Sequence, residues 1–118
     1  MFVKKLIEPH VKDIATSVNK LGVGGKMGNK GGCSVRFKYR ESTLAFACCH
    51  LESGRSVELE AIRRKQLVSI ITNSFIKERG TNMHKYDFKT HEIKVIFGDL
   101  NFRPTQGLEV EHGLRLLE

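Results

Sequence analysis

The sequence predicts an α+β fold, in which short strands form a sheet and one helix packs beside it. Two apolar runs rich in β-branched and aromatic residues, 43–49 and 93–97, are typical of buried strands. A stretch with apolar residues at helical spacing lies between them. His50 directly follows the first run, and Asp99 and Asn101 follow the second. Side chains just past strand ends are the usual place for chemistry in layered folds, so we expect the functional site there.

The first third of the chain is predicted to be mostly extended. Residues 2–7 indicate a strand that ends before Pro9, because proline has no N–H to donate. Residues 11–21 are ambiguous, and their β-branched content favours a strand. Residues 22–32 contain six glycines and are predicted to be a loop.

The middle of the chain predicts a hairpin followed by the helix. Residues 33–39 alternate apolar and polar side chains, and a tight turn at 40–42 joins them to the run at 43–49. Ser56 is the predicted N-cap, with acidic residues in the first turn and helical apolar spacing continuing towards Gly80. Residues 80–92 are predicted to be a polar connection in which the histidines are solvated.

Length and composition place the chain in one broad class. It has 118 residues and 40% hydrophobic residues, enough for one domain or part of one with a small core. The three cysteines form no CxxC motif, which favours reduced core thiols, with Cys48 and Cys49 facing opposite sides of a strand. No apolar stretch reaches the length of a membrane span and no secretory signal is visible, so we expect a cytoplasmic protein.

The positive charge is concentrated at one end of the chain. The net charge is +7, and residues 1–40 carry nine Lys and Arg against two acidic residues, while the remainder balances. A solvated basic face is the plain interpretation. The functional interpretation is a polyanionic partner, such as phosphates, nucleic acid or an anionic membrane surface.

The glycine-rich loop is a candidate anion site. It matches neither the Walker A pattern nor GxGxxG. Glycines let the backbone approach a ligand and offer N–H groups to anions, while Lys26 and Lys30 would add charge and Asn29 an amide. A simple hairpin connection is the alternative. Beside His50 and the Asp99-x-Asn101 pair, which suit metal-assisted attack on an electrophile, we favour the phosphate hypothesis.

Several motifs in this order resemble a known enzyme domain. The chain is similar to the inositol polyphosphate 5-phosphatase catalytic domain, in the DNase I-like endonuclease/exonuclease/phosphatase superfamily. The residues that carry the resemblance are Phe2-Val3-Lys4-Lys5, Gly24-Gly25-Lys26-Met27-Gly28-Asn29-Lys30-Gly31, Cys49-His50-Leu51-x-x-Gly54, Arg63-Arg64 and Gly98-Asp99-Leu100-Asn101-Phe102-Arg103.

The resemblance implies a fold and an activity. The fold would be a fragment of a two-sheet β-sandwich with flanking helices, in which residues 1–104 form the central part of the catalytic domain and 105–118 a divergent tail. The activity would be Mg²⁺-dependent hydrolysis of the 5-phosphate of phosphoinositides or soluble inositol phosphates, a phosphoric monoester hydrolase reaction. The segment carrying the metal-binding Glu is not in this sequence, so the isolated fragment is expected to be inactive and to leave an apolar sheet face uncovered.

The resemblance also assigns roles to single residues. His50 is similar to the histidine that contacts the scissile phosphate, Asp99 to the carboxylate that orients or activates water, and Asn101 to the amide that steadies the transition state. Substrate contacts would come from the loop and from the end of the second motif, through Lys26, Asn29, Lys30 and Arg103.

Three functions remain open from the sequence. The first is the 5-phosphatase, acting at the cytosolic face of membranes through peripheral association with anionic lipids. The second is a phosphodiesterase or nuclease of the same superfamily. The GNKGG motif argues against it, so no nucleic-acid partner is expected. The third is a polyanion-binding remnant without catalysis.

Overall fold

A single mixed sheet carries the candidate site. The structure is a computed structural model that describes residues 3–22, 29–76 and 87–103. Four strands lie in the order β1-β2-β3-β4. The elements are a 3-10 helix at Glu8–His10, β1 at Val11–Lys20, β2 at Gly31–Tyr39, β3 at Ser42–His50, α1 at Val57–Asn73, a 3-10 helix at Phe88–Thr90 and β4 at Ile93–Asp99.

Strand direction brings three strand termini together. β1, β2 and β3 are antiparallel neighbours, while β3 and β4 are parallel and are connected through α1. Gly31 at the start of β2 pairs with His50 at the end of β3, and His50 in turn pairs with Asp99 at the end of β4. The register therefore places His50 and Asp99 side by side at one end of the strands.

The hairpin and the helix follow the sequence prediction. Arg40 and Glu41 form the turn between β2 and β3, with Arg40 in the left-handed region at φ 52°. Ser56 is the N-cap of α1, and its Oγ accepts a hydrogen bond from the Leu59 N–H at 3.4 Å. The first-turn glutamates match the helix dipole there.

The helix ends earlier than its apolar spacing indicates. α1 ends at Asn73, where the predicted pattern continues towards Gly80. Ser74 Oγ donates to the Ile70 carbonyl at 2.7 Å, and Phe75 adopts a left-handed φ of 59°. Phe75 is fully buried, so its side chain is part of the core although the residue lies beyond the end of the helix.

One face of the sheet packs against α1 and its continuation. Ala45, Ala47 and Cys49 of β3 are buried there, as is Ile70 of the helix. Gly32 lies opposite Cys49, and a Cβ at Gly32 would come within 2.8 Å of Ile70 Cγ2. The absence of a side chain at this position lets the helix lie directly on β2.

The other face is apolar and open among the described residues. Phe37 and Phe46 stack with ring centroids 5.8 Å apart. Val18, Val95 and Phe97 remain 66%, 38% and 47% exposed. The described part of the chain therefore has an uncovered apolar sheet face, as expected for part of a two-sheet sandwich.

The prediction for the segment before β1 is wrong. Residues 3–7 form a turn and not a strand, because the Ile7 and Glu8 N–H groups both donate to the Lys4 carbonyl. Pro9 then lies at the start of the first 3-10 helix, where its fixed φ is accommodated.

The described part of the connection before β4, residues 87–92, contains two buried side chains that were predicted to be in a polar, solvated segment. Phe88 and His91 are each only 2% exposed, so the prediction of a solvated His91 is wrong. His84 lies outside the described residues. In the described ranges, no helix combines the length and the apolar character needed to cross a membrane.

Candidate functional site

A cavity of about 390 Å³ opens where the start of β2 and the ends of β1, β3 and β4 meet. It is lined from four directions: the end of β1, the start of β2, the end of β3 and the end of β4. The lining residues are Val18, Asn19, Lys20, Asn29, Lys30, Gly31, Gly32, Cys33, Cys48, Cys49, His50 and Asp99. Two lysines face one carboxylate in this set, which suits an anionic ligand.

His50 is the centre of the polar contacts in this cavity. Its Nε2 lies 2.9 Å from Lys30 Nζ and 3.5 Å from Asp99 Oδ2. An ammonium group can only donate, so Nε2 is the acceptor in its contact with Lys30. The side chains of His50 and Asp99 are 52% and 64% exposed, so both can reach a ligand from solvent.

The Leu51 carbonyl joins two parts of the site. It accepts hydrogen bonds from Lys30 Nζ at 2.9 Å and from Asn101 Nδ2 at 3.0 Å. The Leu51 N–H donates to the Asp99 carbonyl at 3.0 Å. The start of β2, the end of β3 and the residues after β4 are thus held together at one backbone group.

Asn101 reaches the site without a continuing extended strand, in which its side chain would point to the same side as that of Asp99. The strand ends at Asp99, and Asn101 has a left-handed φ of 54°, a conformation that asparagine tolerates well. Its amide turns back to the Leu51 carbonyl, and Arg103 Nη2 lies 3.4 Å from Asn101 Oδ1.

Gly98 allows the end of β4 to approach β3. It has φ 113°, and a Cβ there would lie 2.3 Å from the Cys49 carbonyl oxygen. Any side chain would push the backbone of β4 away. The glycine that precedes Asp99 therefore sets the close spacing of Asp99 and His50.

Arg63 supports the loop that follows His50. It is 1% exposed, and its Nη1 donates to the carbonyls of Glu52 at 3.2 Å and Gly54 at 3.0 Å. Its guanidinium carbon also lies 5.9 Å from the centre of the Phe102 ring. One buried cation thus links the residues after β3 to those after β4. The sequence gives only a weak signal for this role, the pair Arg63-Arg64 on a predicted helix.

The structure brings together most of the predicted site residues. His50, Asp99 and Asn101 converge, and Asn29 and Lys30 line the same cavity. Arg103 contacts Asn101 and is not among the lining residues. Lys26 lies outside the described residues.

Sequence reasoning missed the contribution of β1. Asn19 and Lys20 line the cavity, and the Asn19 Nδ2 group is buried without a hydrogen-bond partner among the described residues. The signal for Lys20 was available, because a strand that enters the glycine loop must end beside the strand that leaves it.

The Cys49 thiol at the cavity is unreactive at neutral pH. Burial, with a smaller contribution from the neighbouring Cys48 and Cys33, raises the pKa of Cys49 to about 11. The thiol therefore stays neutral at pH 7 and does not serve as a nucleophile.

The described residues do not form a complete Mg²⁺ site. They contain no group of three or more His, Cys, Asp or Glu side chains arranged to hold a metal ion. Of the residues that the structure describes, Asp99 is the only carboxylate that lines the cavity. Mg²⁺ is held by hard oxygen ligands in near-octahedral geometry. The donors among the described residues therefore do not fit the ion by themselves.

A second cavity, of about 420 Å³, lies along α1. Its lining includes Arg64, Lys65 and Ser69, with neither a carboxylate nor an imidazole. The cavity around His50 brings a carboxylate, an imidazole and a lysine together and is the better candidate site.

Comparison with known proteins identifies the family. Residues 1–114 match the family model described as endonuclease/exonuclease/phosphatase family 2. The chain is 32% identical to human (Homo sapiens) synaptojanin-2 over 105 residues, which cover 87% of this chain and 6% of that protein. It is also 32% identical over 103 residues to inositol-1,4,5-trisphosphate 5-phosphatase 1 of Schizosaccharomyces pombe, covering 87% of this chain and 9% of that protein.

A solved structure shares the fold. The chain superposes on the inositol polyphosphate 5-phosphatase domain of SPsynaptojanin, crystallised with inositol (1,4)-bisphosphate and a calcium ion, with a TM-score of 0.69 and 25% sequence identity. The match covers 96% of this chain and 30% of that chain. The described sheet and helix are thus a fragment of the DNase I-like fold, and the chain spans only a small part of the relatives it matches. The chain belongs to endonuclease/exonuclease/phosphatase family 2, as its resemblance to the inositol polyphosphate 5-phosphatases predicts.

Proposed function

We propose that this chain forms the phosphate-binding part of an inositol polyphosphate 5-phosphatase. The reaction is hydrolysis of the 5-phosphate of an inositol phosphate or a phosphoinositide. The observation that carries the proposal is the cluster around His50, in which Lys30 and Asp99 lie 2.9 Å and 3.5 Å from Nε2 at the mouth of an open cavity. Phosphoryl transfer needs positioned donors, a base and charge neutralisation, and these three types of group are present.

Lys30 and His50 would bind the phosphate together. A phosphate oxygen only accepts, so it competes with the His50 ring for the Lys30 ammonium group. Once Lys30 turns to the phosphate, His50 Nε2 is released and, when protonated, can donate to a second phosphate oxygen. This exchange gives the histidine its contact with the scissile group.

Asp99 and Asn101 would act on the water and the transition state. Asp99 lies next to His50 and is exposed to the cavity, so its carboxylate can orient and deprotonate an attacking water. The Asn101 amide has one N–H engaged by the Leu51 carbonyl and a second available for a phosphate oxygen. Asn29 lines the cavity, and Arg103 contacts Asn101, so Arg103 would add positive charge near the phosphate. Lys26, which lies outside the described residues, is proposed as a further cation for the ligand.

Mg²⁺ is part of the proposal for the complete enzyme. It would neutralise charge on the phosphate, and its remaining ligands would have to come from beyond the described residues. The basic N-terminal third would hold the protein at the anionic cytosolic face of a membrane, where phosphoinositides lie.

The test is turnover in a domain of the relatives' length that contains this chain. Phosphate release from a 5-phosphorylated inositol phosphate is measured with Mg²⁺, with double-stranded DNA as the alternative substrate. Asp99→Asn keeps the shape and removes the base, so kcat should fall about 10²–10⁴-fold with little change in substrate affinity. Glu41→Gln makes the same carboxylate-to-amide change at the exposed hairpin turn and should leave kcat unchanged. Wild-type kcat in the Asp99 variant would remove Asp99 from the mechanism, and faster cleavage of DNA would favour a nuclease.

A binding function without turnover is the second candidate. It is favoured by the described lining of the cavity, which contains one carboxylate and two lysines. Isothermal titration of the same domain with an inositol bisphosphate separates the two. Binding at micromolar affinity with no phosphate release under any Mg²⁺ concentration would support the binding function over the phosphatase.

A further inference from the structure

Two thiols face each other across the β2–β3 hairpin, next to the candidate site. Cys33 pairs directly with Cys48 in the antiparallel register. Both are free and exposed, while Cys49 beside them is buried on the opposite face. Cys48 lies two residues before His50 on β3. Cys33, on β2, lies three residues after Lys30.

The backbone geometry suits a disulfide between them. Directly opposite residues of an antiparallel pair have Cα atoms about 4.5–5.5 Å apart, and their side chains point to the same face. Disulfides form at Cα separations of about 4.4–6.8 Å. Cys49 cannot compete for Cys33, because its side chain points into the core beneath the sheet.

The thiols are also reached from the cavity. Cys33 and Cys48 line the same open cavity as Lys30 and His50. Once one of these thiols has formed a mixed disulfide, the other lies directly opposite it on the neighbouring strand, so closure is intramolecular and faster than reaction with a second protein molecule.

We propose that Cys33 and Cys48 form a redox-active dithiol that glutathione disulfide closes into a cross-strand disulfide. One protein thiolate attacks glutathione disulfide, whose S–S bond breaks, giving a mixed disulfide and one glutathione. The second protein thiol attacks the mixed disulfide and releases a second glutathione. The two protein thiols lose two protons and two electrons, which the two reduced glutathione molecules carry away.

The test is disulfide mapping of the whole 118-residue chain in its native state and in 8 M urea. Each sample is incubated with glutathione disulfide, the remaining thiols are alkylated, and the linked peptides are quantified by mass spectrometry. In urea the loops closed by Cys33–Cys48 and Cys33–Cys49 are nearly equal in length, so the two bonds should form in about equal amounts. In the native chain Cys33–Cys48 should exceed Cys33–Cys49 by about tenfold or more, because only Cys48 shares a face with Cys33.

Variants make the assignment independent of the peptide map. Cys49→Ser should keep the intramolecular disulfide in the native chain, and dithiothreitol should reverse it. Cys33→Ser or Cys48→Ser should abolish it and leave a single mixed disulfide with glutathione. A native chain that gives the same mixture as the urea sample, or that forms no intramolecular bond, overturns the proposal.

Discussion

Near each end of β4 a cation donates a hydrogen bond to a histidine. One of these histidines is exposed and the other is buried. At the C-terminal end Lys30 Nζ lies 2.9 Å from His50 Nε2, and the histidine is half exposed. Just before the N-terminal end, Arg36 Nε donates to His91 Nε2 at 2.8 Å, and both residues are buried.

The neighbouring contacts separate a binding site from a structural one. The His91 Nδ1–H group donates to the Asp87 carbonyl at 2.8 Å, and Arg36 also donates to the Asp13 carbonyl. His91 therefore has both ring nitrogens occupied by its own chain. His50 has Nε2 contacts that a phosphate can replace and a cavity in which to bind one. The two pairs contain the same kinds of group and differ in burial and in the partner of the second ring nitrogen.

The largest effect should come from exchanging the two histidines for alanine. His50→Ala should lower 5-phosphate turnover at least about 100-fold and change the free energy of unfolding by less than about 0.5 kcal/mol, because the side chain is exposed. His91→Ala should lower the free energy of unfolding by about 2–4 kcal/mol, because it leaves a cavity and takes a partner from the buried Arg36. Urea unfolding and phosphate release measure the two quantities. Similar losses of both in both variants would contradict the distinction between the two ends.

The arginine pair on α1 offers a second contrast. Arg63→Ala should lower the free energy of unfolding by about 2–4 kcal/mol, since it removes two hydrogen bonds from a buried charged donor. Arg64→Ala is the adjacent control. Its Nη2 lies 2.6 Å from Glu60 Oε1 on the exposed helix surface, a contact that contributes less than about 0.5 kcal/mol. Equal urea midpoints for the two variants would show that Arg63 does not brace the loop after His50.

A smaller effect should follow from pH at the buried histidine. Burial lowers the pKa of His91, and the positive charge of Arg36 lowers it further, against the opposing hydrogen bond to Asp87. Below about pH 6.5 the histidine is protonated in the unfolded chain, while His91 in the folded chain stays neutral because its pKa is lower. The free energy of unfolding therefore falls as the pH falls, by at most about 1.4 kcal/mol per pH unit. Above that pH this contribution is fully present.

Urea midpoints at pH 7.5 and 5.5 measure this dependence. His91→Gln should reduce the difference between the two midpoints, and His10→Gln, at an exposed position, should leave it as in the wild type. A wild-type protein whose midpoint rises on acidification would reverse the sign and contradict the role of a neutral His91.

The smallest effect should be that of the cavity lysine on affinity. Lys30→Ala should weaken binding of an inositol bisphosphate about 3–10-fold at low salt and of a monophosphate by less, because a point charge acts in proportion to ligand charge and is screened by salt. The double variant with Lys26→Ala should extend the loss, and Lys4→Ala, away from the cavity, is the control. An equal loss for both ligands that ionic strength does not alter would mean that Lys30 acts through its bond to the Leu51 carbonyl.

The sequence predicts the parts of the molecule that depend on local pattern. Alternation and a tight turn identify the β2–β3 hairpin, Ser56 marks the helix start, and the apolar run before Asp99 identifies β4. The convergence of His50 and Asp99 also follows, because polar residues at the ends of neighbouring strands share an edge.

What the sequence does not reveal depends on distant contacts. His91 is buried because Arg36, 55 positions earlier, supplies a partner that no local pattern shows. Asn101 leaves the extended conformation because the Leu51 carbonyl, 50 positions away, accepts its amide. The strand predicted for residues 2–7 does not form over the described residues 3–7, because the Ile7 and Glu8 N–H groups donate locally to the Lys4 carbonyl instead.

The parallel pairing of β3 with β4 has a consequence for the order in which the chain folds. The β2–β3 hairpin closes over a two-residue turn, and hairpins of this kind form in about 1–10 μs. His50 meets Asp99 only after the intervening segment, with α1 inside it, has folded back, and such long loop closure is slow. During synthesis the hairpin with its cysteine pair and Lys30 can therefore exist before β4 has left the ribosome. Among the described strands, the contact of His50 with Asp99 therefore forms last, when β4 docks beside β3.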